Sequence, residues 1–214
     1  GSCEMSFYDP TQLPWAVPGT DGKAMHNNSP GVDMASPAYG FFSKRGYRTY
    51  AVEYSYHMPL GGYIPPEKIT AIRERLAGEG ITVGFYDPSL HHGFDYVCDS
   101  TGFTGWKDAV AAELKKTDPR PVLCVFDGCR VIGSVGYISA PRGGRGFFLG
   151  VGVAPEYRGR GVGKLMFSSL CSELQRLGAG YMTLFTGEDN MSARSIYESA
   201  GFAHVRSWAL MRKP

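Results

Sequence analysis

The sequence lacks the features that would place it in a membrane or on a nucleic acid. No apolar stretch approaches the roughly 18 consecutive residues of a membrane-spanning helix. Lysine and arginine number 22 and aspartate and glutamate 20, so the formal net charge is only +2. No excess of positive charge marks a nucleic-acid binder, and no basic-then-apolar leader opens the chain. These absences predict a globular protein with neither nucleic acid nor a membrane as a partner.

Paired cysteines are also missing. The five cysteines are scattered, odd in number and without a CxxC pair, at Cys3, Cys98, Cys124, Cys129 and Cys171. This usage argues against a disulfide framework and against a zinc site, and it predicts a reducing, cytoplasmic location. His91, His92 and Asp95 leave a metal site open, but three donors on one irregular segment are too few to predict one.

Hydrophobic periodicity predicts a mixed α/β protein. Residues 81–212 follow the order β-α-α-β-β-β-α-β-α-β, with a strand expected at Gly146–Val153 and the clearest amphipathic helix at 162–177. Upstream, the pattern predicts strands at Leu13–Val17 and Arg48–Met58 and a helix over 67–78. The expected fold has a central mixed, mainly antiparallel sheet flanked by helices.

One segment of the chain is suited to binding phosphate. It runs Arg158-Gly159-Arg160-Gly161-Val162-Gly163-Lys164 and joins a predicted strand to the start of the amphipathic helix. Glycines at a helix start allow close approach to the free backbone N–H groups, and the helix dipole favours an anion there. Neither the Walker loop nor the dinucleotide fingerprint fits this spacing.

Two motifs together resemble the GNAT superfamily of acetyl-CoA-dependent N-acetyltransferases. The segment 151–164 is similar to its acetyl-CoA loop, (Q/R)-x-x-G-x-(G/A). The segment 190–202, NMSARSIYESAGF, is similar to its second motif, N-x-x-A-x-x-x-Y-x-x-x-G-F. The resemblance covers about residues 81–212 and implies a GNAT-like fold and acetyl transfer to a primary amine, on a small molecule or a protein.

The resemblance also implies a role for each matched position. Val151 and Val153 would pair through their backbone with the pantetheine arm, which Asn190 would also contact. Tyr197 would protonate the departing thiolate. The pyrophosphate would be bound by Arg158, Gly159, Arg160, Gly161, Val162, Gly163 and Lys164. The cosubstrate would be acetyl-CoA, with no metal.

The sequence departs from the family at one point. Many relatives carry a glutamate on the strand before the loop, whereas this chain has Phe147-Phe148-Leu149-Gly150 there. On chemistry alone, His91, His92, Asp95 and Glu188 remain candidates for the general base. A non-catalytic acyl-CoA-binding sensor or regulatory unit therefore stays open as the alternative function.

The N-terminal third repeats part of the second motif. Ala38–Tyr47 aligns with Ala193–Phe202 at a constant offset of 155 positions, but Phe42 stands in place of Tyr197 and Ala35 in place of Asn190. We therefore expect a tandem arrangement. Its parts are a partial, degenerate GNAT-like unit at 1–60, a connecting helix at 61–80 and a catalytic domain at 81–214. Apolar residues of the partial unit need cover by the second unit or by another subunit, as in a homodimer, and the missing start predicts a longer native chain.

Overall fold

A computed structural model describes residues 3–5, 13–102 and 104–214, with the backbone alone at Thr104. The chain divides into two compact units. Unit 1 combines Gly1–Pro59 with Tyr181–Pro214, and unit 2 is Leu60–Gly180. The domain boundaries predicted at residues 60 and 80 were drawn from the sequence repeat, and they stay a prediction. None of the helices within the described residues has the length and the apolar character needed to cross a membrane.

In chain order, unit 1 begins with four short strands, a helix and a long strand. Their bounds are β1 Cys3–Met5, β2 Trp15–Ala16, β3 Met25–His26, β4 Val32–Asp33, α1 Pro37–Lys44 and β5 Arg48–Pro59. Unit 2 follows with α2 Glu67–Gly78, β6 Ile81–Phe85, α3 Phe94–Ser100, α4 Thr104–Leu114, β7 Val122–Asp127, β8 Arg130–Ser139, β9 Phe147–Phe148, β10 Gly152–Val153, a 3₁₀ turn Pro155–Tyr157 and α5 Val162–Arg176. The chain then returns to unit 1 with β11 Tyr181–Gly187, α6 Met191–Ala200 and β12 Ala203–Lys213.

Unit 2 is an antiparallel sheet covered by helices. Its strands lie in the order β10-β8-β7-β6, with β9 also paired to β8. Helix α5 buries the stripe that its 3.6-residue period predicts, including Leu165, Met166, Leu170 and Leu174. The helix ends before Gly178, whose φ of +92° lets the Ala179 amide bond back to Leu174 O.

The expected strand Gly146–Val153 is wrong as a single element. It forms the two short strands β9 and β10, because pairing with β8 opens between them. Gly136 of β8 has a φ of +69°, and the amides of Leu149 and Gly150 both bond to Val135 O instead of continuing the ladder. Gly150 also lies against the Trp106 indole, so closely that a Cβ would come within 1.7 Å of the ring.

Unit 1 is built on a second antiparallel sheet, in the order β1-β12-β5-β11, with β4 also paired to β12. The strand predicted at Leu13–Val17 forms only at Trp15–Ala16, and it is not the counterpart of β11 that the repeat would place directly before α1. Trp15–Ala16 pairs only with β3 in a separate two-stranded ribbon, and the strand that runs into α1 is β4. The predicted class, a mixed α/β fold with mainly antiparallel sheet flanked by helices, is confirmed.

The central strands β5 and β12 pair with a local two-fold relation. Glu53 lies opposite Trp208, its own counterpart 155 positions later, and the Val52–Ala209 pair has the Tyr54–Ser207 pair as its counterpart. Each strand also carries one bulge. The additional residue is Tyr50 in β5 and Val205 in β12, again 155 positions apart.

The helices that precede these strands end alike. The Tyr47 amide bonds to Phe42 O, and the Phe202 amide bonds to Tyr197 O. The glycine before each amide has a positive φ, +86° at Gly46 and +103° at Gly201. The repeated motif therefore has repeated structure, from the end of each helix through the strand that follows it.

Candidate functional site

The strand that precedes the predicted phosphate loop lies at an edge of the sheet in unit 2. The Ala154 amide bonds to Ile132 O on β8, and donors alternate in direction along an antiparallel strand. The backbone groups of Val153 therefore point away from β8, whereas Val151 lies just outside β10, where the pairing with β8 is open. Val153 O accepts a hydrogen bond of 3.0 Å from Arg158 Nε on that outer side. This edge can accept an extended partner through backbone hydrogen bonds.

The loop after this strand presents unused amides at the start of a long helix. Gly159 and Gly161 have φ values of +74° and +88°, which favour glycine at both positions. Leu165 N bonds to Gly161 O, whereas the amides of Val162, Gly163 and Lys164 come too early in α5 for an intrahelical acceptor. These amides and the positive end of the α5 dipole favour an anion at this point.

Side-chain hydrogen bonds join the 3₁₀ turn before the loop to the elements around it. The Glu156 carboxylate accepts hydrogen bonds from Arg130 at 2.5 Å and from the Tyr96 hydroxyl at 3.1 Å. The Tyr157 hydroxyl donates to Asp127 at 2.6 Å. A backbone hydrogen bond of Glu156 is the main cause that lowers the pKa of its carboxyl, and the bonds from Tyr96 and Arg130 lower it further. These bonds connect the approach to the loop with α3, β7 and β8.

Arg75 and Glu79, which the sequence did not single out, hold the loop itself through hydrogen bonds. Arg160 donates to Glu79 at 2.6 Å, and Arg75 donates both to Glu79 and to Arg160 O, each at 2.5 Å. Hydrogen bonds from Arg160 and then Arg75 lower the pKa of the Glu79 carboxyl. Glu79 and Arg160 are 81 positions apart, so no local pattern signals this contact. In this conformation Arg160 positions the loop on α2.

The two loop glycines have different surroundings. A Cβ at Gly161 would lie 3.0 Å from Ile72 Cγ2 and 3.6 Å from Arg75 Nη2, so α2 packs closely on this glycine. A Cβ at Gly159 would meet nothing within 4 Å. Gly161 is therefore needed for packing inside unit 2, and Gly159 is where the loop backbone is open to an approaching group.

In unit 1, helix α6 carries the two other predicted site residues. Asn190 caps the helix, since its Oδ1 accepts from the Ala193 amide at 3.1 Å, while its Nδ2 group remains a donor. Tyr197 lies on the inner face of α6 with 8% of its surface exposed. Burial raises the pKa of Tyr197 to about 12, so the phenol is neutral at physiological pH.

Two tyrosines of β5 bond to glutamates, one just before α6 and one within it. The Tyr56 hydroxyl donates to Glu198 Oε1 at 3.0 Å, and the Tyr54 hydroxyl donates to Glu188 Oε1 at 2.5 Å. The rings of Tyr56 and Tyr197 meet edge to face, with centroids 5.8 Å apart. Burial is the main cause that raises the pKa of Tyr56, and the bond to Glu188 is the main cause for Tyr54.

The other base candidates have structural partners in unit 2. His91 Nδ1 accepts from the Asp87 amide at 3.0 Å, and the His92 backbone pairs with β8. Asp95 forms an ion pair of 2.6 Å with Lys107. Within the described ranges, no three His, Cys, Asp or Glu side chains are placed to hold a metal ion.

Two known proteins are similar in sequence to part of this chain. Mycothiol acetyltransferase from Geodermatophilus obscurus is 31% identical over 90 residues, which are 40% of this chain and 29% of that protein. The enzyme of the same name from Pseudarthrobacter chlorophenolicus is 39% identical over 90 residues, 40% of this chain and 28% of the relative. The chain therefore spans less than a third of these curated relatives.

Two solved structures share the fold. A GCN5-related glucosamine N-acetyltransferase region of a fungal multi-domain GH3 β-N-acetylglucosaminidase superposes with a TM-score of 0.63 at 23% identity, covering 86% of this chain and 24% of that one. The GCN5-related N-acetyltransferase from Sphaerobacter thermophilus gives 0.60 at 22% identity, covering 85% and 57%. The predicted GNAT-like fold is confirmed. Residues 85–202, which include the phosphate loop and the α6 motif, match the sequence model of the acetyltransferase (GNAT) family. This protein belongs to the acetyltransferase (GNAT) family.

Proposed function

We propose that the protein transfers an acetyl group from acetyl-CoA to a primary amine. The observation that carries this proposal is the anion-binding start of α5. Two left-handed glycines lead into a helix whose first amides have no intrahelical acceptor, directly after a strand at the edge of the sheet. Such an arrangement suits a pyrophosphate followed by an extended amide-containing arm, as in CoA.

In the proposed binding mode, the amides from Gly159 to Lys164 bind the pyrophosphate. Val151 and Val153 pair with the pantetheine arm along the β10 edge, and Arg158 leaves Val153 O when the arm takes its place. Arg158 and Lys164 supply positive charge near the phosphates. Asn190 donates from Nδ2 to a pantetheine carbonyl while its Oδ1 continues to cap α6.

The proposed reaction is a direct attack. A neutral amine forms a C–N bond with the thioester carbonyl carbon, and the C–S bond breaks as the tetrahedral intermediate collapses. The sulfur leaves as a thiolate, takes the Tyr197 hydroxyl proton and departs as the CoA thiol. The nitrogen releases its proton to water, and a proton from water restores the phenol. Because burial raises the pKa of Tyr197 to about 12, the phenol carries a proton to donate at neutral pH.

A sensor that binds acyl-CoA without catalysis is the second candidate. Phe147 and Phe148, the residues of β9, occupy the strand where many relatives carry a glutamate, and this absence is the observation that favours it. A sensor would bind acetyl-CoA through the same loop but release no thiol with any amine. Release of the CoA thiol in the presence of an amine therefore distinguishes an acetyltransferase from a sensor.

We also propose that residues 1–60 are a degenerate copy of the end of a GNAT unit, joined by the helix at 61–80 to a catalytic domain at 81–214. The pairing of β5 with β12 about Glu53 and Trp208 supports this proposal. Phe42 stands at the Tyr197 position and has no proton to donate, so this copy does not catalyse.

All five cysteines are free thiols, which supports a cytoplasmic location.

Two measurements test the proposed function. Calorimetry and thermal shift should show acetyl-CoA binding, because a ligand of the folded state raises stability by mass action. Thiol release should then be followed with a panel of amino acids, peptide N-termini and glucosamine. Tyr197→Phe should lower turnover by roughly 10²–10⁴-fold while acetyl-CoA affinity is retained. An absence of binding in the parent protein would refute the proposal, and unchanged turnover would remove Tyr197 from the mechanism.

A further inference from the structure

The two-fold relation in unit 1 provides an internal comparison for helix α6. Helix α1 lies on β12 as α6 lies on β5, so each contact under α6 has a counterpart under α1. Under α6 the contacting side chains are polar, and under α1 the counterparts are mostly apolar. In matching order, the first set is Tyr54, Tyr56, Arg194 and Glu198, and the second is Ala209, Met211, Tyr39 and Ser43.

The polar set bonds to α6 on both sides of Tyr197. Tyr56 is fully buried, and its hydroxyl reaches Glu198, the residue after Tyr197. One turn earlier, the Arg194 guanidinium lies 4.9 Å from the centre of the Tyr54 ring and donates to Glu188 O at 2.8 Å. We call Tyr54 and Tyr56 the tyrosine ladder. The ladder contacts α6 three residues before Tyr197, where Arg194 lies over the Tyr54 ring, and one residue after it, where Tyr56 bonds to Glu198. The Tyr54 hydroxyl bonds to Glu188, in the turn before the helix.

The counterpart residues of β12 make no such bond to α1, whose Tyr39 hydroxyl instead lies 3.4 Å from Thr49 Oγ1 on β5. Ala209 and Met211 have no side-chain donor, and they pack in an apolar cluster with Val32, Tyr39 and Phe42. None of the eight described residues of α1 is buried, whereas Tyr197 of α6 is. The same backbone arrangement is therefore stable without a ladder, so the hydrogen bonds are not required to form it.

Apolar packing and hydrogen bonds restrain a helix differently. Apolar contact is non-directional, so α1 can rotate somewhat about its axis at little cost. A hydrogen bond is directional and weakens steeply as its angle closes, and a buried hydroxyl is costly without its partner. The Tyr56–Glu198 hydrogen bond, together with the Arg194 guanidinium over the Tyr54 ring one turn earlier, restrains the axial rotation of α6 and hence the place of the hydroxyl on Tyr197.

We propose that Tyr54 and Tyr56 are positioning residues, which fix the rotation of α6 and thereby hold the Tyr197 hydroxyl where it donates its proton. This inference rests on the proposed function and deepens it, since it assigns a role to side chains that do not touch the cosubstrate. A misplacement on the order of 1 Å costs about 10²-fold in rate. The Tyr56 hydroxyl should therefore affect kcat and leave the KM for acetyl-CoA unchanged.

The test is a double-mutant cycle in the full chain. Tyr56→Phe keeps the ring and removes only the hydroxyl, and Met211→Leu is the matched control at the buried counterpart. We expect Tyr56→Phe to lower kcat by about ten- to hundredfold, with no further loss when Tyr197→Phe is already present. Met211→Leu should leave kcat within about twofold. The same fold loss in both backgrounds, or an equal loss from Met211→Leu, would overturn the proposal.

Amide hydrogen exchange gives a readout that does not depend on activity. Exchange over residues 191–200 should be faster in Tyr56→Phe than in the parent, and unchanged in Met211→Leu. If Tyr197→Phe retains full turnover, the proton-donor role fails, and exchange alone then decides whether the ladder holds α6. Equal exchange in Tyr56→Phe and the parent would overturn the positioning role.

Discussion

Replacing Gly159 by alanine tests the phosphate loop at the position where its backbone is open. The φ of Gly159 is +74° and nothing lies within 4 Å of the Cβ position, so the substitution adds backbone strain and one methyl group without a clash. Gly143 has a φ of +69°, similarly open surroundings and a place in the same unit, but it lies in the turn before β9. Gly143→Ala is therefore the matched control for strain.

The two variants should lose similar stability. A non-glycine residue in the left-handed region costs about 1–2 kcal/mol. For a protein of this size each kcal/mol lowers Tm by roughly 2–4 °C, so both variants should melt about 2–8 °C below the parent. Gly161→Ala should lose more, because its Cβ would lie 3.0 Å from Ile72 Cγ2 and α2 would have to move.

The affinity for acetyl-CoA should differ between Gly159→Ala and Gly143→Ala. If the methyl group of Gly159→Ala prevents one charge-assisted hydrogen bond to the pyrophosphate, about 1.5–3 kcal/mol is lost. That loss corresponds to a Kd for acetyl-CoA about ten- to hundredfold weaker, since each 1.4 kcal/mol is about tenfold. Calorimetry at a temperature well below both melting transitions measures this difference. Equal Kd values for Gly159→Ala and Gly143→Ala would refute the assignment of the loop.

Two further predictions concern Tyr197 and the N-terminal segment. Because burial raises the pKa of Tyr197 to about 12, the proton donor is active below that pH, and kcat at saturating acetyl-CoA should not fall between pH 8 and about pH 10, near an ordinary phenol pKa. A basic limb below pH 10 that disappears in Tyr197→Phe would contradict this reasoning. Deleting residues 1–59 removes β5 from between β11 and β12 and should abolish cooperative unfolding of the C-terminal strands, measured by circular dichroism and calorimetry. A truncated protein that melts within a few degrees of the parent would show that β5 is dispensable.

Local features of the site could be predicted from the sequence. The glycines of the loop and the stripe of α5 were readable because a left-handed turn and a 3.6-residue period depend on neighbouring residues. The same holds for the end of α6, where the spacing from Tyr197 to Gly201 matches the observed cap. The repeat at 38–47 was also readable, since Gly46 closes α1 as Gly201 closes α6.

Contacts between distant segments were decided by the tertiary structure alone. Arg160 meets Glu79 across 81 positions and Tyr56 meets Glu198 across 142, separations over which no periodicity links one residue to another. The break at residues 149–151 likewise depends on the positive φ of Gly136 in the partner strand, which a pattern within the broken strand does not contain. The sequence by itself determined the glycine turns and helix faces of the predicted site, through short-range backbone preferences, whereas long-range packing decided which side chains hold those segments in place.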